Sequence, residues 1–183
     1  MVKMLVGDIL LHENTSFDLI SILMRWGVGK YTHASMNAGM QHDTSGHGEY
    51  CIFHSIGVGP TLTPISEALG KNIILVQMPL SDRDRIMLAA QARRIADNPL
   101  YQYGYDDMLL SAIPDALCRK FKIPIRWIYR TKHTQICSKA VEFVYFEAKR
   151  RRKLPDICDL PPDFLMCPGA TLVSGKVGEG ITW

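Results

Sequence analysis

Apolar runs and alternating segments predict a group of β-strands in the first 80 residues. VGDILL (6–11) and NIILVQMPL (72–80) are short continuous apolar runs of the kind found in interior strands. KYTHASMNAG (30–39) alternates between polar and apolar or small residues, which is typical of a strand with one buried face. The polar segment MQHDTSGHGE (40–49) then separates it from another apolar run, YCIFHSIGVG (50–59). We therefore expect the last two strands to pair as a hairpin across a polar turn.

Helical spacing of apolar residues predicts three helices. The first is NTSFDLISILMRWG (14–27), and the second is DRDRIMLAAQARRIAD (82–97), with Ser81 or Asp82 as its cap. The third is CSKAVEFVYFEAKRRRK (137–153), which begins close to its cysteine. With strands clustered early and a long helix late, the pattern predicts an α+β fold.

Composition places the chain among ordinary globular proteins. Its 183 residues are 47% hydrophobic and 21% charged, which suits one domain over 1–183 with a core that needs no disulfide or metal. No apolar run approaches the roughly 18–20 residues of a membrane span. No basic-then-apolar signal peptide is recognisable either, so we expect a cytoplasmic protein without a transmembrane segment.

The five cysteines are an odd number without close paired spacing, and in a chain lacking a secretion signal they predict free thiols. They are Cys51, Cys118, Cys137, Cys158 and Cys167.

Charge is unevenly distributed along the chain. Residues 118–153 contain 12 Lys or Arg and 2 acids, a balance of +10, whereas the remainder has 9 basic and 16 acidic residues, a balance of −7. The run KRRRK (149–153) suits the C-terminal end of a helix, where cations complement the dipole. The alternative is a surface for an anionic ligand such as a phosphate or lipid headgroup, but no nucleic-acid motif accompanies the run.

Cys137 is the first candidate for chemistry because it stands at a predicted helix start. Unpaired backbone N–H groups there favour a thiolate, and they also favour the oxyanion formed when sulfur attacks an acyl carbon. A catalytic cysteine also needs a base to take its proton. Without such a base, Cys137 is better explained as a buried structural cysteine.

His33 and His54 are the second and third candidates. The alternation of 30–39 places His33 on a polar strand face, and His54 lies on the strand expected to be its neighbour. Side by side, one imidazole could orient the other, as the third member of a triad does. Together with Cys137 they form a cysteine–histidine–polar set.

The joint order of four short motifs resembles the circularly permuted NlpC-type papain-like cysteine hydrolases, most of all the YiiX/YebB-like group. The resemblance covers residues 5 to about 150, with the histidine preceding the cysteine as the permutation requires. The matching residues are Gly7-Asp8, Thr32-His33, Tyr105-Asp106 and Cys137-Ser138.

The resemblance implies a papain-like fold, with an antiparallel sheet and a nucleophile-bearing helix late in the chain. It implies Cys137 as nucleophile, His33 as general base and acid, and His54 as the orienting residue. The expected activity is hydrolysis of an amide, peptide or ester through a thioester acyl-enzyme, without a metal or organic cofactor. Tyr103 and Tyr105 either line the substrate cleft or pack under the sheet.

Three alternatives remain open. His42, His47, Cys51 and His54 are close in sequence, but their spacing is not a usual zinc pattern. A lipid acyltransferase or phospholipase of the lecithin:retinol acyltransferase-like type would keep the thiol chemistry and place the basic region against anionic headgroups. A non-catalytic binding module on the same fold would need neither the thiol chemistry nor the anionic headgroups.

Overall fold

The computed structural model describes most of the chain, and the statements below refer to this part of it. The described residues are 1–13, 22, 25, 29–42, 48–56, 59–103, 134–135, 137–155 and 161–183. The predicted helix 14–27 lies almost entirely outside them.

The described residues form ten strands and two α-helices. The strands are β1 (Val2–Lys3), β2 (Ile9–Glu13), β3 (Tyr31–His42), β4 (Gly48–Ile56), β5 (Gly59–Pro64), β6 (Asn72–Gln77), β7 (Gln102–Tyr103), β8 (Thr134–Gln135), β9 (Thr171–Lys176) and β10 (Ile181–Thr182). The helices are α1 (Asp82–Ala96) and α2 (Cys137–Glu147). No helix among these residues is long and apolar enough to cross a membrane.

A six-stranded antiparallel sheet, in the order β5-β4-β3-β2-β6-β9, forms the centre of the fold. β1 with β10 and β7 with β8 make two small parallel pairs beside it. The α+β class and the antiparallel sheet predicted from the sequence are confirmed.

The predicted hairpin is confirmed, but its strands extend further into the polar segment than the hydropathy pattern indicates, and the second ends at Ile56, before the predicted Gly59. β3 and β4 pair from Met36 with Phe53 to His42 with Gly48, so both ends of the polar segment 40–49 are strand. Cross-strand hydrogen bonds are made by the backbone, and polar side chains on an exposed face do not prevent them.

The helix predicted at 82–97 is α1, and Ser81 is its cap. The Ser81 hydroxyl accepts a hydrogen bond from the Asp84 amide, and the Asp84 carboxylate accepts one from the Ser81 amide. This reciprocal capping box satisfies two backbone donors that the first helical turn leaves unpaired.

Edge strand β5 was not predicted, because Pro60 and Pro64 interrupt its sequence. It pairs with β4 from Cys51 opposite Pro64 to Ile56 opposite Gly59. Proline cannot donate to a ladder, but an edge strand has one side where no donor is required. The proline spacing therefore suits the edge of the sheet and does not exclude a strand.

Each face of the sheet carries a hydrophobic cluster. On one face, Ala34 and Met36 of β3 pack with Leu88 of α1 and Val144 of α2. The opposite face carries a second cluster that includes Ile52 of β4 and is not covered by either helix. Because strand side chains alternate, His33 belongs to this second face, next to Ala34 of the helix-covered face.

The Gly-Asp motif joins β2 to both helices. Gly7 adopts a φ of 85°, and a side chain there would meet Leu80 and Leu88. Asp8 is fully buried and accepts hydrogen bonds from the backbone amides of Leu5 and Met78. The motif thus has a structural role in the turn before β2.

Candidate functional site

His33 lies on β3 directly opposite His12 of β2. The predicted alternation is confirmed, since Ala34 and Met36 are buried under the helices whereas His33 lines a cavity on the other face. The region of β3 around His33 pairs with β2, and the described pairing with β4 begins only at Met36. His33 therefore lies just before the point where β3 and β4 join.

His54 of β4 contacts His33 directly. Nε2 of His33 is 3.0 Å from Nδ1 of His54, and the two rings meet edge to face at 72°. The predicted proximity of the two histidines is confirmed. One of these nitrogens donates and the other accepts, according to the tautomers of the two rings.

Thr63 of β5 contacts the far side of the His54 ring. Its Oγ1 is 3.2 Å from Nε2 of His54, so both ring nitrogens of His54 have partners. Thr63 was not identified from the sequence because it belongs to β5, the strand that was not predicted because of its prolines.

His12 adds a third imidazole that was also missed. Its ring centroid is 5.3 Å from that of His33, and its Nε2 is 2.6 Å from Oγ of Ser35 in a buried hydrogen bond. The available signal was a histidine ending the apolar run 6–11. Its pairing with His33 depends on strand register, which hydropathy does not reveal.

All three imidazoles are held in the neutral form. Burial is the main cause in each case, and the Lys71 ammonium adds to it. The pKa of His12 is lowered to about 3 and that of His54 to about 4. The pKa of His33 is lowered well below 6.5, with further contributions from His12 and His54.

Cys137 is the first residue of α2, as the sequence predicted. Its side chain is buried, and Sγ lies 3.9 Å from the carbonyl oxygen of Thr32, the neighbour of His33 in β3. Among the described contacts, the thiol makes no hydrogen bond to the His33 ring. The structure thus brings Cys137 to the backbone of the histidine strand, whereas the His33 ring lies on the face of β3 opposite α2.

The helix start does not produce a thiolate in this structure. Burial raises the pKa of the Cys137 thiol above 9.0, although the backbone amides of Ala34, Ser138 and Cys137 act in the opposite direction. Desolvation of the anion outweighs the favourable N–H groups. The expected stabilisation of a resting thiolate is therefore wrong, and the thiol is neutral.

A cavity of about 620 Å³ opens at the histidines. Its walls combine the imidazoles with apolar, hydroxyl and charged side chains. They are formed by His12, Glu13, Thr32, His33, Ile52, His54, Ile56, Thr63, Glu67, Gly70, Lys71 and Asn72. Thr32, whose carbonyl contacts the thiol, separates Cys137 from this cavity.

The tyrosines predicted to line the cleft are not tested. Only the backbone of Tyr103 is described, in β7, and Tyr105 lies outside the described residues. Of the stretch 101–117 that contains them, only residues 101–103 are described.

Of the cysteines, Cys51, Cys137 and Cys167 are described, and all three are free thiols as predicted. Cys118 and Cys158 lie outside the described residues. Burial raises the pKa of the Cys167 thiol to about 12.

The zinc alternative finds no arrangement to support it in the described part of the chain. No group of three or more His, Cys, Asp or Glu side chains there could hold a metal ion. Cys51 and His54 lie on opposite faces of β4 because they are three residues apart in a strand. His47 lies outside the described residues.

Much of the basic run 149–153 is used to fix the end of α2. Lys149 takes a φ of 57°, which ends the helix, and the chain turns into a 3-10 helix at Arg151–Lys153. Arg150 pairs with Asp84 at the start of α1. Arg151 pairs with Glu142, and Lys153 donates to a backbone carbonyl. These contacts favour the structural explanation of the run.

Comparisons with known proteins inform the fold. The chain matches no family model, and no curated protein matches it. Its structure is similar to the crystal structure of YiiX from Escherichia coli, which is described as a metalloprotein. The TM-score is 0.56 at 17% identity, over 94% of this chain and 97% of that chain. The similarity shows a YiiX-like α+β fold and confirms, for the fold, the resemblance to the YiiX group that the motifs indicated.

Proposed function

We propose that this chain is a cysteine hydrolase of the permuted papain-like type, acting on an amide, peptide or ester carbonyl. One observation carries the proposal. Cys137 at the start of α2 meets β3 beside His33, and His33 is hydrogen-bonded to His54. The YiiX-like fold supports it.

His33 is the general base in this mechanism. Its Nε2 is engaged by His54, which leaves Nδ1 to take the thiol proton. Because α2 packs on the face of β3 opposite the His33 ring, the mechanism requires that Sγ and Nδ1 are brought together when substrate binds. As the S–H bond breaks, sulfur bonds to the acyl carbon, and backbone N–H groups at the start of α2 stabilise the oxyanion. The proton on His33 then passes to the leaving group as its bond to the acyl carbon breaks. A water molecule, deprotonated by the same imidazole, hydrolyses the thioester and frees the thiol.

The charge state of the pair distinguishes this mechanism from attack by a preformed thiolate. Both partners are neutral at rest, since the pKa of Cys137 is raised and that of His33 is lowered. Proton transfer therefore accompanies attack on the substrate, as in a serine hydrolase.

A resident metal, which the description of YiiX raises, does not fit the described residues, because no group of three or more His, Cys, Asp or Glu side chains among them could hold one. Nε2 of His12 is engaged by Ser35, and both nitrogens of His54 are engaged by His33 and Thr63. A metal ligand needs a free nitrogen lone pair directed at the ion. No step is therefore assigned to a metal.

A binding module on the same fold is the second candidate, and one observation favours it. Cys137 is only 6% exposed, and Thr32 stands between its thiol and the cavity. On this alternative, the cavity at the three histidines holds a ligand and no covalent bond forms.

The proposal is tested by the release of 4-nitrophenolate from 4-nitrophenyl acetate, an activated ester. Wild-type protein is compared with Cys137→Ser, His33→Gln and the matched buried control Cys167→Ser. We expect a rapid burst in the wild type and in Cys167→Ser. His33→Gln should slow the burst by about 100-fold or more, the usual contribution of a general base. Equal release from wild type and Cys137→Ser would exclude the hydrolase and leave the binding module.

A further inference from the structure

The hydrogen bond between His33 and His54 has two possible directions. Both rings are neutral, so one proton lies between Nε2 of His33 and Nδ1 of His54. In the first arrangement, His33 donates from Nε2 and its Nδ1 keeps a free lone pair. In the second, His54 donates from Nδ1 and the proton of His33 is on Nδ1.

Only the first arrangement suits the proposed function, on which this inference rests. A base that accepts the thiol proton at Nδ1 must have its lone pair there. A carboxylate in place of His54 could only accept, and would impose this arrangement by itself. An imidazole can donate or accept, so the direction is decided at the other side of the His54 ring.

We propose that Thr63 is a positioning residue that makes the productive arrangement available. When His54 accepts at Nδ1, its own proton is on Nε2, which faces Oγ1 of Thr63 at 3.2 Å. The hydroxyl accepts that proton in a hydrogen bond. Thr63 also lines the cavity, where its own hydroxyl hydrogen can pair with solvent.

Removing the hydroxyl alters the balance between the two arrangements. Without it, the productive arrangement leaves an N–H donor of His54 without a partner. The other arrangement places a proton on Nδ1 of His33, which has no described partner, so either arrangement then leaves one N–H donor unpaired. The preference for the productive arrangement is therefore lost, and a Thr63→Val protein should populate the Nδ1–H form of His33 beside the Nε2–H form.

The first measurement is the ¹⁵N chemical shift of the His33 and His54 ring nitrogens, which reports the tautomer without any substrate. We expect the Nε2–H form at both rings in the wild type and in Thr63→Ser. Thr63→Val should show both the Nε2–H and the Nδ1–H form at His33. Thr61→Val, on the same strand, is the matched control, and Thr63→Ala replaces the valine variant if that one does not fold.

The second measurement is the burst with 4-nitrophenyl acetate. We expect Thr63→Val to lower the acylation rate by about twofold, because about half of the molecules keep the productive arrangement. KM should be unchanged, and Thr63→Ser should react at the wild-type rate. An unchanged His33 tautomer in Thr63→Val would overturn the inference. If no variant shows a burst, the proposed hydrolase fails, while the tautomer measurement still decides the role of Thr63.

Discussion

The hydroxyl of Tyr145, in the last turn of α2, donates a 2.5 Å hydrogen bond to the backbone carbonyl of Gly7. Both groups are buried, and the bond joins the helix that begins with Cys137 to the turn before β2. The Gly-Asp motif and the nucleophile candidate, far apart in sequence, are thereby parts of one structural unit.

Tyr145→Phe should destabilise the protein by about 1–3 kcal/mol, because it leaves the buried Gly7 carbonyl without a partner. Urea unfolding measures the loss. Tyr101→Phe is the matched control, since Tyr101 contacts Phe143 through its ring and its hydroxyl makes no described hydrogen bond. An equal loss in both variants would contradict the assigned role.

Asp8→Asn should cost about 2–4 kcal/mol in the same assay. The substitution removes the charged partner of Arg85. It also replaces one of the two carboxylate oxygens, each of which accepts a hydrogen bond from a backbone amide. The Asp97 side chain is 67% exposed, so Asp97→Asn should change stability by less than about 0.5 kcal/mol. A loss at Asp97 as large as that at Asp8 would contradict this explanation.

The histidine cluster should make stability depend on pH below neutrality. The folded pKa values of His12 and His54 are about 3 and about 4, against 6.5 for the unfolded residues. Below pH 6.5 the unfolded chain binds protons that the folded chain does not. The free energy of unfolding is therefore highest above pH 6.5. It decreases as the pH falls towards 4, by up to about 1.4 kcal/mol per pH unit for each histidine.

Urea unfolding between pH 7.5 and 5 tests this dependence in the wild type and in His12→Gln. Glutamine retains a polar partner for Ser35 but does not titrate. The stability of His12→Gln should therefore fall less steeply than that of the wild type as the pH is lowered, by the contribution of one proton. Parallel curves for the two proteins would show that His12 titrates normally in the fold.

Alkylation by iodoacetamide should be slow at Cys137 in the resting protein. Burial raises the pKa of its thiol, so little thiolate exists at pH 7, and the rate should rise steadily towards alkaline pH. Peptide mass spectrometry measures the rate at each cysteine, with urea-unfolded protein as the reference. A plateau of fast alkylation at acidic pH would show a stabilised thiolate and would refute the neutral pair.

Local patterns in the sequence predict the parts of the site that depend on one element. Alternation along β3 is sufficient to place His33 on the face opposite Ala34 and Met36, and helical spacing places Cys137 at a helix start. The hairpin brings His54 near, because the two strands are adjacent in sequence. These features need no knowledge of distant parts of the chain.

Contacts between distant strands were not predictable in the same way. His12 meets His33 because β2 pairs with β3 in one register, and a bulge between Asn37 and Gly39 shifts the next pairing. Thr63 reaches His54 from an edge strand that its prolines obscure. A change of register by one residue would turn each of these side chains to the other face.

The charge state of Cys137 also depends on the whole fold. The local pattern, a cysteine at a helix start in a basic segment, favours a thiolate. Packing of α2 against β3 buries the thiol, and the desolvation cost reverses that expectation.

The acyl-enzyme itself provides the most direct test of the proposed hydrolase. Protein mixed with 4-nitrophenyl acetate is quenched in acid during the burst, and the modified residue is located by peptide mass spectrometry. The account predicts one acetyl group, bound to Cys137 as a hydroxylamine-sensitive thioester and strongly reduced in His33→Gln. Acetylation spread equally over Cys51, Cys137 and Cys167, or unchanged by His33→Gln, would contradict it.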